Sequence, residues 1–154
     1  MQKRKQARFA EEPQPEKRAK WQDDPLIEGV GPLSWRFSVC DRDGPYSWSL
    51  LSPEDRTRVL DRMAELESMT WSEITKTGSH PIELGRLCKA AQSRLTAIGQ
   101  DDADALVSFR ITGAGRMWCI QDASIMRVLW WDPHHQVYPV KKDRADRVKQ
   151  RRRR

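Results

Sequence analysis

The side chains that could do chemistry gather near the end of the sequence. Trp130-Trp-Asp-Pro-His-His-Gln-Val-Tyr-Pro139 sets His134, His135 and Tyr138 in one short stretch. An imidazole exchanges a proton near neutral pH, and a phenol can position or donate one, so His135 or His134 with Tyr138 forms a candidate general acid/base set. Arg110, Arg116 and Arg127 lie just upstream. Guanidinium groups there would stabilise a phosphorane-like transition state through charge-assisted hydrogen bonds. Together these types fit phosphodiester cleavage by a ribose 2′-hydroxyl. The structural alternative for the same stretch is a strand end, an Asp-Pro turn and an aromatic pair filling a core.

Other chemistries lack their residues. The sequence has no GxxxxGK[ST] and no GxSxG, so neither a P-loop triphosphatase nor a serine hydrolase elbow is supported. Gly113-Ala-Gly115 is only GxG between two apolar runs, which predicts a hairpin turn. His134 and His135 are adjacent, so their side chains diverge in an extended segment and only one could join a metal site. No metal site and no cofactor is expected. Cys40, Cys88 and Cys119 are odd in number and lack CxxC, as reduced, mostly buried thiols would.

Charge is distributed unevenly. The chain of 154 residues has 28 Lys and Arg against 22 Asp and Glu, for a net +6. Residues 1–24 hold 7 basic and 5 acidic side chains, residues 141–154 hold 9 and 2, and the intervening body holds 12 and 15. The body is therefore mildly acidic, and the basic character belongs to the tails. Lys141, Lys142, Arg144, Arg147, Lys149, Arg151, Arg152, Arg153 and Arg154 would attract RNA or DNA through counterion release. No apolar run approaches the roughly 18 residues that a membrane helix needs, and no signal-like apolar core follows the basic start. The expectation is a cytoplasmic protein without membrane contact. Its organisation reads as a basic, proline-containing disordered tail at 1–24, one globular domain at 25–140 and a basic tail at 141–154.

The elements that must position these groups are legible from periodicity. Leu33, Trp35, Phe37 and Val39 alternate as in a strand ending at Asp41-Arg-Asp-Gly-Pro45. Ser52-Pro53 and Thr70-Trp-Ser-Glu73 are helix starts, the second a capping-box pattern whose short helix ends near Gly78. Leu84, Leu87, Cys88, Ala91, Leu95 and Ile98 fall at helical spacing before a capping Gly99. Residues 106–111, 116–121 and 125–131 form three meandering strands, with 134–139 a final extended piece at the sheet edge. The fold class is α+β: a curved, mainly antiparallel sheet in the order β-α-α-β-β-β, with helices packed on one face. Strand parity predicts an inner face of Val107, Phe109, Ile111, Trp118, Ile120, Met126, Val128 and Trp130. The outer face would then show Ser108, Arg110, Cys119, Gln121, Arg127 and Trp131, a surface suited to phosphates and stacked bases.

The strand and helix succession, with Gly113-x-x-Arg116 and the LWWDPHHQVYP ending, resembles the RelE/ParE-type toxin superfamily from about Leu33 to Tyr138. The resemblance implies a small α+β toxin of a toxin–antitoxin module. RelE-like members cut ribosome-associated mRNA without a metal, ParE-like members inhibit DNA gyrase, and an antitoxin protein covers the working face. Arg110 and Arg116 resemble the family's basic residues on central strands, with Arg127 a further candidate. His135 with Tyr138 resembles its acid/base or stacking residues. The expected function is a metal-independent endoribonuclease that inhibits translation, with RNA or the ribosome and a cognate antitoxin as partners. The alternative is a noncatalytic binding module, either a gyrase inhibitor or a docking accessory protein of a mobile element.

Overall fold

A computed structural model describes residues 32–139. The tails expected at 1–24 and 141–154, including every basic residue assigned to the C-terminal run, lie outside the described residues.

The helix starts are built as their sequences dictate. Ser52 caps α1 (Pro53–Glu67), its hydroxyl accepting from the Asp55 amide at 3.1 Å, with Pro53 in the first turn where no N–H is needed. Thr70 and Glu73 form a reciprocal capping box on α2 (Trp71–Lys76). The third helix, α3 (Lys89–Ala97), is shorter than its apolar spacing predicts, because Leu84–Arg86 is a separate 3-10 turn. Gly99 ends α3 at φ +67°, and the Gln100 amide reaches the Leu95 carbonyl at 2.9 Å.

Five strands make one open, mixed sheet, and the fold is α+β in a single domain. They are β1 (Ser34–Arg36), β2 (His80–Glu83), β3 (Ala105–Arg110), β4 (Arg116–Asp122) and β5 (Ile125–Asp132), in spatial order β1-β5-β4-β3-β2. β1 runs parallel to β5, and the other pairs are antiparallel. β2 has no counterpart in the periodicity, since Pro81 argues against a strand. It survives at a sheet edge, where one missing donor is tolerated. The piece at 134–139 is irregular rather than an edge strand, and its Val137 carbonyl accepts from the Cys88 amide at 2.8 Å.

Register corrects the expected faces. Arg110 pairs with Arg116, so Phe109 lies beside Met117 and not Trp118. Asp122 pairs with Ile125, leaving a tight turn at Ala123-Ser124. Each ladder is therefore one residue from the expected alternation, and a bulge opposite Trp118 and Cys119 shifts β5 once more at Leu129. Val107, Phe109, Met126 and Val128 still share a face, but with Met117, Cys119 and Trp131. Trp118, Ile120 and Trp130 lie on the other side with Leu106 and Leu129.

Both faces are consequently apolar, and helices cover both rather than one. Val59, Met63 and Leu66 of α1 and Ile74 of α2 fill the first layer. Ala91 and Leu95 of α3, with Tyr46 and Val137, fill the second. The second layer is tied by Asp41, which is 5% exposed. Its carboxylate accepts from Arg94 Nε and Nη2, both at 2.7 Å, and from the Trp130 indole at 3.0 Å. In the first layer the indole nitrogens of Trp35, Trp48 and Trp131 are buried without a hydrogen-bond partner. All three cysteines are free, and only Cys119 is fully buried. Burial pushes the half-buried Cys40 thiol up to about 11, partly offset by Arg42.

Candidate functional site

The ends of three strands meet at one rim of the sheet. Arg110 closes β3, Arg116 opens β4 opposite it, and Asp132 ends β5 opposite Arg116. His80 opens β2 two positions further back, opposite Ser108. The cross-strand ladder thus places two guanidinium groups, a carboxylate and an imidazole in neighbouring positions.

Asp132 builds the loop that presents His135. The carboxylate is 1% exposed and accepts from the amides of Gln136 at 2.8 Å and Val137 at 2.9 Å, and from the Trp118 indole at 3.4 Å. These bonds fold residues 133–137 back over the strand end, and His135 takes a left-handed φ of +56°. For a non-glycine residue this conformation costs about 1–2 kcal/mol. The imidazole is half-buried. Burial first, then the positive charges of Arg116 and His80, lower its pKa, while Asp132 works in the opposite sense. His135 therefore favours its neutral form, which can accept a proton.

Arg116 and Arg110 differ in how they are held. Arg116 Nη1 donates to the carbonyls of Thr112 at 3.2 Å, Gly113 at 3.2 Å and Gly115 at 3.0 Å, clasping the turn between β3 and β4. Burial and the nearby Arg110 lower its pKa, and Asp132 opposes them. Arg110 is exposed and takes part in none of the salt bridges among the described residues. Its amide donates to the buried Ser79 hydroxyl at 2.9 Å. Its Cδ would sit 3.6 Å from a β-carbon on Gly78, whose φ of +84° lets the chain turn away beneath the side chain.

Beside the rim runs an open groove of about 560 Å³ between α1 and the end of β3. Arg58, Asp61, Arg62 and Glu65 line its helical side, and Arg110 lies opposite. Arg62 Nη1 pairs with Glu65 at 2.8 Å, and its Nε donates to the Arg110 carbonyl at 3.3 Å.

Three of the sequence candidates, His135, Arg110 and Arg116, come together here. The others do not. Tyr138 accepts from Arg86 at 2.6 Å beside the start of α3. Arg127 donates to Gln100 at 3.3 Å and lies at the opposite end of β5 from Asp132. His134 is exposed, with no hydrogen bond among the described residues. Trp131, expected on an outer face to stack bases, is 1% exposed because the Leu129 bulge turns it into the first core layer. The outer sheet face expected for nucleic acid does not form one surface: Cys119 and Trp131 lie in the first core layer, α3 packs on the other side of the sheet, and Arg110 and Gln121 stay exposed at the strand ends.

Sequence reasoning left out His80 as a rim group, the buried Asp132 carboxylate and the Arg58–Arg62 pair on α1. Asp-Pro flagged only a turn, and the arginines carry the spacing of any solvated helix face. Among the described residues no group of three or more His, Cys, Asp or Glu side chains is placed to hold a metal ion. No helix among them is long and apolar enough to cross a membrane. Comparison of the chain with protein-family models, curated proteins and solved structures gives no match.

Proposed function

We propose that the protein acts on RNA in the cytoplasm as a metal-independent endoribonuclease of the toxin kind, with the strand-end rim as its site. The observation that carries this is the juxtaposition of a neutral-favouring His135 with Arg116 and Arg110. His135 takes the proton of a ribose 2′-hydroxyl, whose oxygen attacks the adjacent phosphorus. The bond from phosphorus to the 5′-oxygen breaks, and water at this open rim protonates the leaving oxygen. Arg110 meets the charge that builds on the phosphoryl oxygens, while Arg116, held by the turn, supplies fixed positive potential. The products carry a 2′,3′-cyclic phosphate and a 5′-hydroxyl. The basic residues of 141–154 add sequence-independent affinity, and a cognate antitoxin would act by covering the rim.

The test is cleavage of RNA, free and on ribosomes, at neutral pH with EDTA present. Cyclic-phosphate ends formed by the wild type and lost in His135→Asn support the reading, and intact RNA in both overturns it. One observation favours the noncatalytic alternative: Tyr138 is engaged by Arg86, which leaves His135 without the acid partner expected of it. Under that alternative, growth arrest on expression persists unchanged in His135→Asn.

A further inference from the structure

We infer that the groove between α1 and β3 holds a second phosphate of the RNA strand, next to the one at the rim. This inference rests on the RNA reading of the rim, since Arg110 belongs to both. The three arginines that line the groove are not equivalent. Arg62 is already committed, to Glu65 on one side and to the Arg110 carbonyl on the other, and its side chain is 19% exposed. It neutralises Glu65 and fixes the groove wall. Arg58 is 63% exposed and lies 3.8 Å from Asp55, a contact too long and too solvated to occupy it. Arg110 has no carboxylate partner among the described residues and rests its stem over Gly78.

Two arginines that line one open groove therefore have donors to spare, and planar guanidinium forks match phosphate oxygens. An extended single strand carries a phosphate at each nucleotide. A strand seated with one phosphate beside Arg116 and Arg110 passes its neighbour into the space between Arg110 and Arg58. Among the described residues Asp61 is the one lining carboxylate without an ion pair, so it opposes an anion in the same space. That opposition sets a sign that loss of folding cannot imitate.

The experiment measures binding of the full-length protein to a short, labelled 2′-O-methyl RNA by fluorescence anisotropy across a salt series. The methyl groups block cleavage, and the 141–154 segment is common to every variant. Arg58→Ala should weaken binding several-fold and reduce the slope of log K against log salt by about 0.7, the value for one lost single-strand phosphate contact. Asp61→Asn should tighten binding. Variants indistinguishable from wild type in affinity and slope overturn the groove while leaving cleavage at the rim to stand or fall by His135→Asn. Altered binding in Arg58→Ala, with no cleavage by the wild type, keeps the groove and removes the catalytic reading.

Discussion

Asp41 and Arg94, far apart in sequence, meet in a two-pronged pair with both nitrogen–oxygen distances at 2.7 Å. The pair joins the loop after β1 to α3, and the Trp130 indole joins both to β5. Arg94 first, with the amides of Asp43 and Gly44 and the Trp130 indole adding to it, holds the Asp41 carboxyl well below the usual carboxylate range against the opposing effect of burial. A depressed folded pKa means that the unfolded chain binds the proton more readily. The stabilisation is thus complete above the ordinary aspartate pKa and is lost as pH falls through the depressed one. Asp41→Asn should lower Tm at neutral pH and flatten the acid limb of stability against pH, as followed by circular dichroism.

Gly44 lies against the same pair. A β-carbon there would fall 2.5 Å from Asp41 Oδ2 and also collide with the Arg94 guanidinium. Gly44→Ala should cost about 1–3 kcal/mol in urea unfolding, the range of an overpacked site. An unchanged midpoint would mean that the pair shifts to admit the methyl group at no net cost.

His135 yields a prediction with a definite direction. Burial and Arg116 disfavour its protonated form, so a reaction using it as base stays level across neutrality and slows only below the ordinary histidine range. Stability linked to the same group follows that sign, being present above the ordinary pKa and lost as pH falls through the lowered one. NMR titration of the imidazole and a pH–rate profile should agree. His135→Gly should stabilise the fold by about 1 kcal/mol, because glycine occupies the left-handed region without strain, while abolishing cleavage.

Arg116 and Arg110 should separate under mutation. Arg116→Ala removes three bonds to turn carbonyls and should cost about 1–2 kcal/mol together with activity. Arg110→Ala leaves the turn intact and should reduce cleavage at nearly constant Tm. Equal loss of stability in both would assign Arg110 a structural role.

The unpartnered indoles give an opposite kind of result. Trp48→Phe removes ring area but also a buried donor without an acceptor, whose burial costs about 1–3 kcal/mol. Chemical denaturation should show a net change within about 1 kcal/mol. Trp131→Phe should cost more, because its ring is 1% exposed and packs against Gly115, where a β-carbon would lie 2.7 Å from Cη2.

Local rules were readable from the residues and long-range pairing was not. Ser52, Thr70 and Glu73 announce their helix starts because a cap is satisfied within a few residues. Gly99 announces its cap for the same reason. The hairpins are less determined, since a turn one residue longer or shorter suits the same glycines and reverses every side chain beyond it. Trp131 shows the consequence: a base-stacking candidate became core once Leu129 bulged. Arg110 and Arg116 come together because the strand ends they occupy align whichever face is inward, whereas His135 joins them only through the loop that the Asp132 carboxylate folds. Tyr138 does not, because its position depends on how the Asp132 carboxylate folds the following loop.

That the sheet is covered on both sides bears on how the molecule breathes. The middle of β4, Met117 to Ile120, has a strand on either side and an apolar layer above and below, so its amide protons should reach solvent only when the whole domain opens. The rim lies at the ends of the ladder, where amides can exchange through small local openings. The His135 loop can then rearrange around a bound strand without loosening the core, and sequence change there can alter binding while the global unfolding free energy stays where the buried tryptophans set it.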